Sequence, residues 1–124
     1  MGIVILMQNN TGMTLLPAVN YGSRDEILRA VYKYVQSGKT EMPTEQDFAK
    51  YLYTDDVPDP ELLIRTSGEL RVSNFLLWQI AYAELYFTDV LWPDFSRDHL
   101  MEALQNYQDR ESRHPKSLFR DYPR

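Results

Sequence analysis

Cysteine is absent from the 124 residues, so neither a disulfide framework nor thiolate chemistry is open to this chain. Histidine is nearly absent. The two present, His99 and His114, have no second histidine or cysteine at ligand spacing, and zinc is not implied. Ser73 has no histidine near it in sequence, which leaves a hydrolytic triad without support. Positive charge is not in excess either: 13 Lys and Arg stand against 18 Asp and Glu, a net −5, which speaks against non-specific nucleic-acid binding. Long hydrophobic runs are also missing. The apolar residues 2–7 lack a basic preceding region and are too short for a signal peptide or anchor, and residues 74–87 are too short to span a bilayer. The default compartment is the cytoplasm. With 44% hydrophobic residues, the chain is one domain at most, with a core of modest size.

What is present alternates in the α/β manner. Residues 14–21 read as a strand, with Pro17 confining it to an edge or bulge. Ser23 and Glu26 have capping-box spacing, and Ile27, Leu28, Val31 and Val35 supply the apolar stripe of a helix ending at Gly38. Thr44 and Asp47 start a shorter helix carrying Phe48, Tyr51 and Leu52. Residues 61–66 read as a strand, a helix is expected from about Asn74, and residues 88–92 as a final short strand closed by Pro93 and Asp94. Ser96 caps a last helix with Leu100, Ala103, Leu104 and Tyr107 on one face. The tyrosines and tryptophans read as core and interface fillers. Residues 55–59 match the Asp-Asp-x-x-Asp pattern of diphosphate-bound magnesium, but Pro58 and Pro60 break the helix that pattern needs. They read as a polar loop before a strand.

The chemistry concentrates between Ile64 and Phe95. Arg65 and Arg71 flank the turn-like Thr66, Ser67, Gly68 and Glu69, and Ser73 adds a hydroxyl just before NFLLWQIAYAELYF, residues 74–87. The arginine fork suits phosphate oxygens, and a helix start near Asn74 would aim free N–H groups at an anion. Each arginine taken singly reads more readily as half of a surface ion pair; it is the combination with Ser73 that favours an anion site. Glu84 lies inside the apolar run, where a carboxylate needs a cation, a metal or hydrogen-bond donors.

The run from Ile64 to Phe95, with AVNYGSRDEI at residues 18–27, resembles the cis-prenyltransferases of the undecaprenyl diphosphate synthase type, over about residues 10–113. The resemblance implies the C-terminal part of a mostly parallel sheet flanked by helices, residues 1–113 forming that portion and 114–124 a basic mobile tail. It implies condensation of isopentenyl diphosphate with an allylic diphosphate to a cis-polyprenyl product. By the same resemblance Arg65, Arg71 and Ser73 bind the diphosphate of isopentenyl diphosphate, and Glu84 helps to hold Mg2+. A half sheet would leave an unpaired strand edge that invites association, so a homodimer or larger assembly is expected, and the resemblance adds proximity to a membrane surface through a lipid product.

Departures limit these expectations. The His-x-Met-Asp-Gly-Asn-Gly-Arg segment, which binds the allylic diphosphate in that family, has no counterpart among these residues. Ser23 and Ser67 replace customary glycines, and Arg113, His114, Pro115 stands where the family often reads Arg-x-Gly. Two readings follow: a transferase truncated to roughly its second half and inactive alone, or a noncatalytic association module, an accessory subunit of a prenyltransferase complex.

Overall fold

A computed structural model describes residues 11–113, with side chains described through residue 110. The expected tail, residues 114–124, and the apolar residues 2–7 lie outside this range. Three helices, α1 (Ser23–Gln36), α2 (Glu45–Ala49) and α3 (Arg97–Arg113), accompany two strands, β1 (Leu62–Arg65) and β2 (Glu84–Phe87). The strands form a parallel ladder, Leu62 opposite Glu84 through Arg65 opposite Phe87. The architecture is therefore the expected α/β one, a parallel sheet with flanking helices.

Helix α1 has Asp25 and Glu26 in its first turn and Lys33 in its last, the charge order the helix dipole favours. It ends where the Ser37 N–H turns back to Lys33 and Tyr34 and Gly38 adopts φ +78°, a left-handed stop that suits glycine. The inward residues are Ser23, Glu26 and Ala30, with Ile27 beside them, whereas Leu28, Val31 and Val35 are exposed. The expected stripe was therefore misplaced: polar partners on a distant segment claim the face that hydrophobicity alone assigns elsewhere. The capping box is also absent. Gly22 holds the N-cap position, and the Ser23 hydroxyl accepts from the Leu77 N–H instead.

Helix α2 begins as expected. Thr44 accepts the Asp47 N–H at 3.1 Å and donates to the Asp47 carboxylate at 2.9 Å, and Lys50 closes the knot at 3.0 Å. Its Phe48 and the following Leu52 join Ala30 in the core, with Ile27, Ala49, Tyr51 and Trp78 packed around them. Hydrogen bonds from Lys50 and then Thr44 hold the Asp47 carboxyl below its ordinary 3.8. This contribution is complete above that value and fades as pH falls through the lowered one. Thr44→Ala should lower stability by about 1 kcal/mol in urea denaturation at neutral pH, with a smaller difference in acid. An unchanged midpoint at neutral pH would discount the cap.

Three other expectations fail. Residues 14–21 form no strand; they run irregular and exposed but for Tyr21. Residues 74–82 form consecutive turns rather than a regular helix, because Ser73, Asn74 and Leu76 adopt left-handed φ values of 48°, 62° and 47°. Strand β2 therefore starts at Glu84, inside the expected helix, and residues 88–92 are not a strand; a 3-10 turn, Trp92–Asp94, follows. At the start of α3, the Ser96 N–H donates to His99 Nδ1 at 3.0 Å, so a histidine occupies the reciprocal place in the cap. Ala103 is the fully buried member of the expected α3 face.

Candidate functional site

Arg65 ends β1, and its guanidinium donates to the Ser73 hydroxyl at 3.1 Å. Between them the chain makes a loop pinned to the segment after β2. The Thr88 N–H donates to the Arg65 carbonyl at 3.0 Å, and the Ser67 and Gly68 N–H groups donate to the Val90 and Thr88 carbonyls, each at 2.9 Å. Gly68 is required there. Its φ is +69°, and a Cβ would stand 2.8 Å from the Asp89 carboxylate. A cavity of about 330 Å³ opens beside this loop, lined by Arg65, Thr66, Ser67 and Glu69 on its polar side and by Leu63, Val72 and Phe75 on its apolar side. Its position at the carboxyl end of a parallel strand is where open α/β sheets place ligands.

The structure thus brings Arg65 and Ser73 together. Arg71 is 65% exposed and paired with Glu69 at 2.6 Å. Glu84 is elsewhere. It opposes Leu62, three residues back from Arg65 along the ladder and, by strand alternation, on the other face of the sheet. The expectation of a buried Glu84 within a helix does not hold: it opens β2, is 38% exposed, and receives Arg110 of α3 at 3.3 Å. An arginine of the protein is the cation beside it.

This arrangement bears on magnesium. The ion takes carboxylate and phosphate oxygens in near-octahedral geometry. Glu84 faces away from the Arg65–Ser73 pair, and among the described residues no group of three His, Asp or Glu side chains could hold a metal ion. The turn at residues 55–59 forms no such group either. Magnesium held chiefly by substrate phosphates takes one or two protein carboxylates, and Glu84 is the one the sequence offers.

Glu26, by contrast, is a functional candidate that the sequence disguises. It is fully buried, accepts the Tyr53 N–H at 2.7 Å and the Gln79 side-chain amide at 3.2 Å, and is also bonded by the Tyr21 hydroxyl. Burial, and then the bond to Glu26, push the Tyr21 phenol above its ordinary 10.0, so it remains a donor. The available signal was Gln79, an amide inside an apolar run that had to meet a buried polar partner.

Comparison with known proteins places the chain by sequence and fold. The family model described as "Putative undecaprenyl diphosphate synthase" matches residues 3–115. An isoprenyl transferase of Fusobacterium nucleatum is 58% identical over 106 residues, covering 86% of this chain and 45% of the relative. One from Neisseria meningitidis is 56% identical, covering 87% and 43%. The chain therefore spans less than half the length of these curated relatives. Among solved structures, lavandulyl diphosphate synthase from Lavandula x intermedia, in complex with dimethylallyl diphosphate, aligns with a TM-score of 0.73 and 41% identity over 82% of this chain and 46% of that one. A probable undecaprenyl diphosphate synthase from Campylobacter jejuni aligns at 0.64 and 33% identity, over 73% and 42%.

Proposed function

Because the chain belongs to the undecaprenyl diphosphate synthase family of prenyltransferases, we propose that its Arg65–Ser73 pair is the isopentenyl diphosphate half of a cis-prenyltransferase site. One observation carries the reading: a guanidinium oriented by a hydroxyl at the mouth of a half-apolar cavity at the carboxyl end of β1. The charge meets a diphosphate, and Leu63, Val72 and Phe75 offer the five-carbon chain an apolar wall. Arg71 contributes once it leaves Glu69. Residues 1–113 act as one portion of a larger site whose other half binds the allylic diphosphate. Magnesium dependence belongs to the reaction as a whole, and none of these roles depends on a metal ligand. Glu84 is the partner of Arg110.

In this reading the 124 residues bind isopentenyl diphosphate without elongating it, as homodimers or larger assemblies in the cytoplasm. Leu28, Tyr32 and Val35, exposed along one side of α1, favour association over a lone monomer. Among the described residues no helix is long and apolar enough to cross a membrane.

Calorimetric titration with isopentenyl diphosphate tests the site. The chain should give a saturable heat that the Arg65→Ala, Arg71→Ala double variant lacks, and equal heats would refute it. Labelled isopentenyl diphosphate with farnesyl diphosphate should yield negligible product; elongation would overturn the half-site claim. Sedimentation should give a mass above that of one chain, and a concentration-independent monomer would count against assembly.

A further inference from the structure

The proposed site depends on Ser73, and Ser73 opens a backbone segment that would not hold its shape alone. Ser73, Asn74 and Leu76 are all left-handed, a costly conformation for side-chain-bearing residues and most of all for leucine. Such a segment persists only where its surroundings fix it.

They do so through the start of α1. A helix leaves its first N–H groups without partners, and Asn74 takes two of them: the Ser23 N–H donates to the Asn74 carbonyl at 2.8 Å and the Arg24 N–H to its side-chain oxygen at 2.9 Å. The bond from the Leu77 N–H to the Ser23 hydroxyl, 2.9 Å, ties the segment a second time. Gly22 allows the approach, since a Cβ there would stand 3.0 Å from the Asn74 amide nitrogen. One turn further into α1, Glu26 takes Gln79, which also donates to Thr54 at 3.0 Å. Both oxygens of Glu26 serve neutral donors, Tyr21 just before the helix and Tyr53 and Gln79 from two distant stretches of chain.

We infer that Glu26 is a positioning residue for the Arg65–Ser73 site: with Ser23 it clamps residues 74–79 to α1, and that clamp sets the Ser73 hydroxyl against the Arg65 guanidinium. Glu26 lies in the core of this network and touches no ligand. It acts through Gln79 on the far end of the segment, as Ser23 and Arg24 act through Asn74 on its near end, and through Ser73 on the direction of Arg65. This rests on the diphosphate reading of Arg65.

The test uses the full chain, with two readouts. Calorimetry with isopentenyl diphosphate reports the site, and amide exchange without ligand reports the clamp. Glu26→Gln keeps the shape but turns a donor toward the Gln79 donor. It should weaken binding roughly 10-fold and speed exchange over residues 74–79 while the helical circular dichroism is kept. Exchanging the two groups, Glu26→Gln with Gln79→Glu, restores a donor facing an acceptor and should recover both. Ser23→Ala, which removes one acceptor from Leu77, supplies the same comparison if Glu26→Gln fails to fold. A variant that binds as tightly as the unmodified chain, or that weakens binding with exchange unchanged, overturns the inference. An unmodified chain that does not bind isopentenyl diphosphate overturns the reading of Arg65 instead. The two failures are distinct because exchange is measured without ligand.

Discussion

Arg65→Ala should weaken isopentenyl diphosphate binding by roughly 10- to 150-fold, whereas Arg71→Ala should cost no more than about 5-fold. The asymmetry follows from what each guanidinium does before ligand arrives. Arg65 is already aimed, held at 3.1 Å by Ser73 and set at the end of a hydrogen-bonded strand. Little ordering remains to be done, and a hydrogen bond to a charged group contributes about 1.5–3 kcal/mol. Arg71 is 65% exposed and engaged with Glu69, so binding must first break an ion pair whose exposed kind is worth about 0.2–1 kcal/mol. Titration of the two single variants at one ionic strength separates them. Equal losses would mean that the loop between β1 and Ser73 rearranges around the ligand, freeing Arg71 from Glu69.

The same distinction between local and distant causes explains what the sequence revealed. The start of α2 was legible because Thr44 and Asp47 lie three residues apart and satisfy each other. Strand β1 was legible as a short apolar run ending in a charge, and Arg65, Arg71 and Ser73 as a group around one turn, of which the structure joins Arg65 to Ser73. Residues 74–87 were not. Their apolar side chains permit helix or strand alike, and the choice is made by Ser23 and Arg24, some 50 residues away. Glu26 was hidden by coincidence of spacing: three residues after a serine it has the pattern of a cap, yet both side chains turn away from their own helix end toward the distant segment. Glu84 was legible only in part, for a related reason. A carboxylate in an apolar stretch demands a cation, but which cation depends on α3 packing beside β2, and Arg110 lies 26 residues further on.

Phe48→Ala should cause the larger loss of stability, about 3–5 kcal/mol, the usual cost of emptying an aromatic site in a core. Few side chains are available to absorb the loss. Phe48 is 7% exposed and shares its cluster with only Ala30 and Leu52 as fully buried apolar partners. Its ring lies 4.8 Å from Trp78, tilted at 50°, so the cavity opens directly under the residue beside Gln79. Domains hold about 5–15 kcal/mol in total, so this one truncation removes a large fraction of what keeps the chain folded. Tryptophan fluorescence in urea measures it, because Trp78 loses its wall as the transition shifts. Val31→Ala, on the exposed side of α1, should change stability by about 0.5 kcal/mol or less, which controls for a general loss of helix packing. A Phe48→Ala midpoint shift no larger than that of Val31→Ala would place the core elsewhere. If the shift is as large as expected, isopentenyl diphosphate binding should weaken with it even below the unfolding transition, since Trp78, packed on Phe48, lies in the segment that follows Ser73.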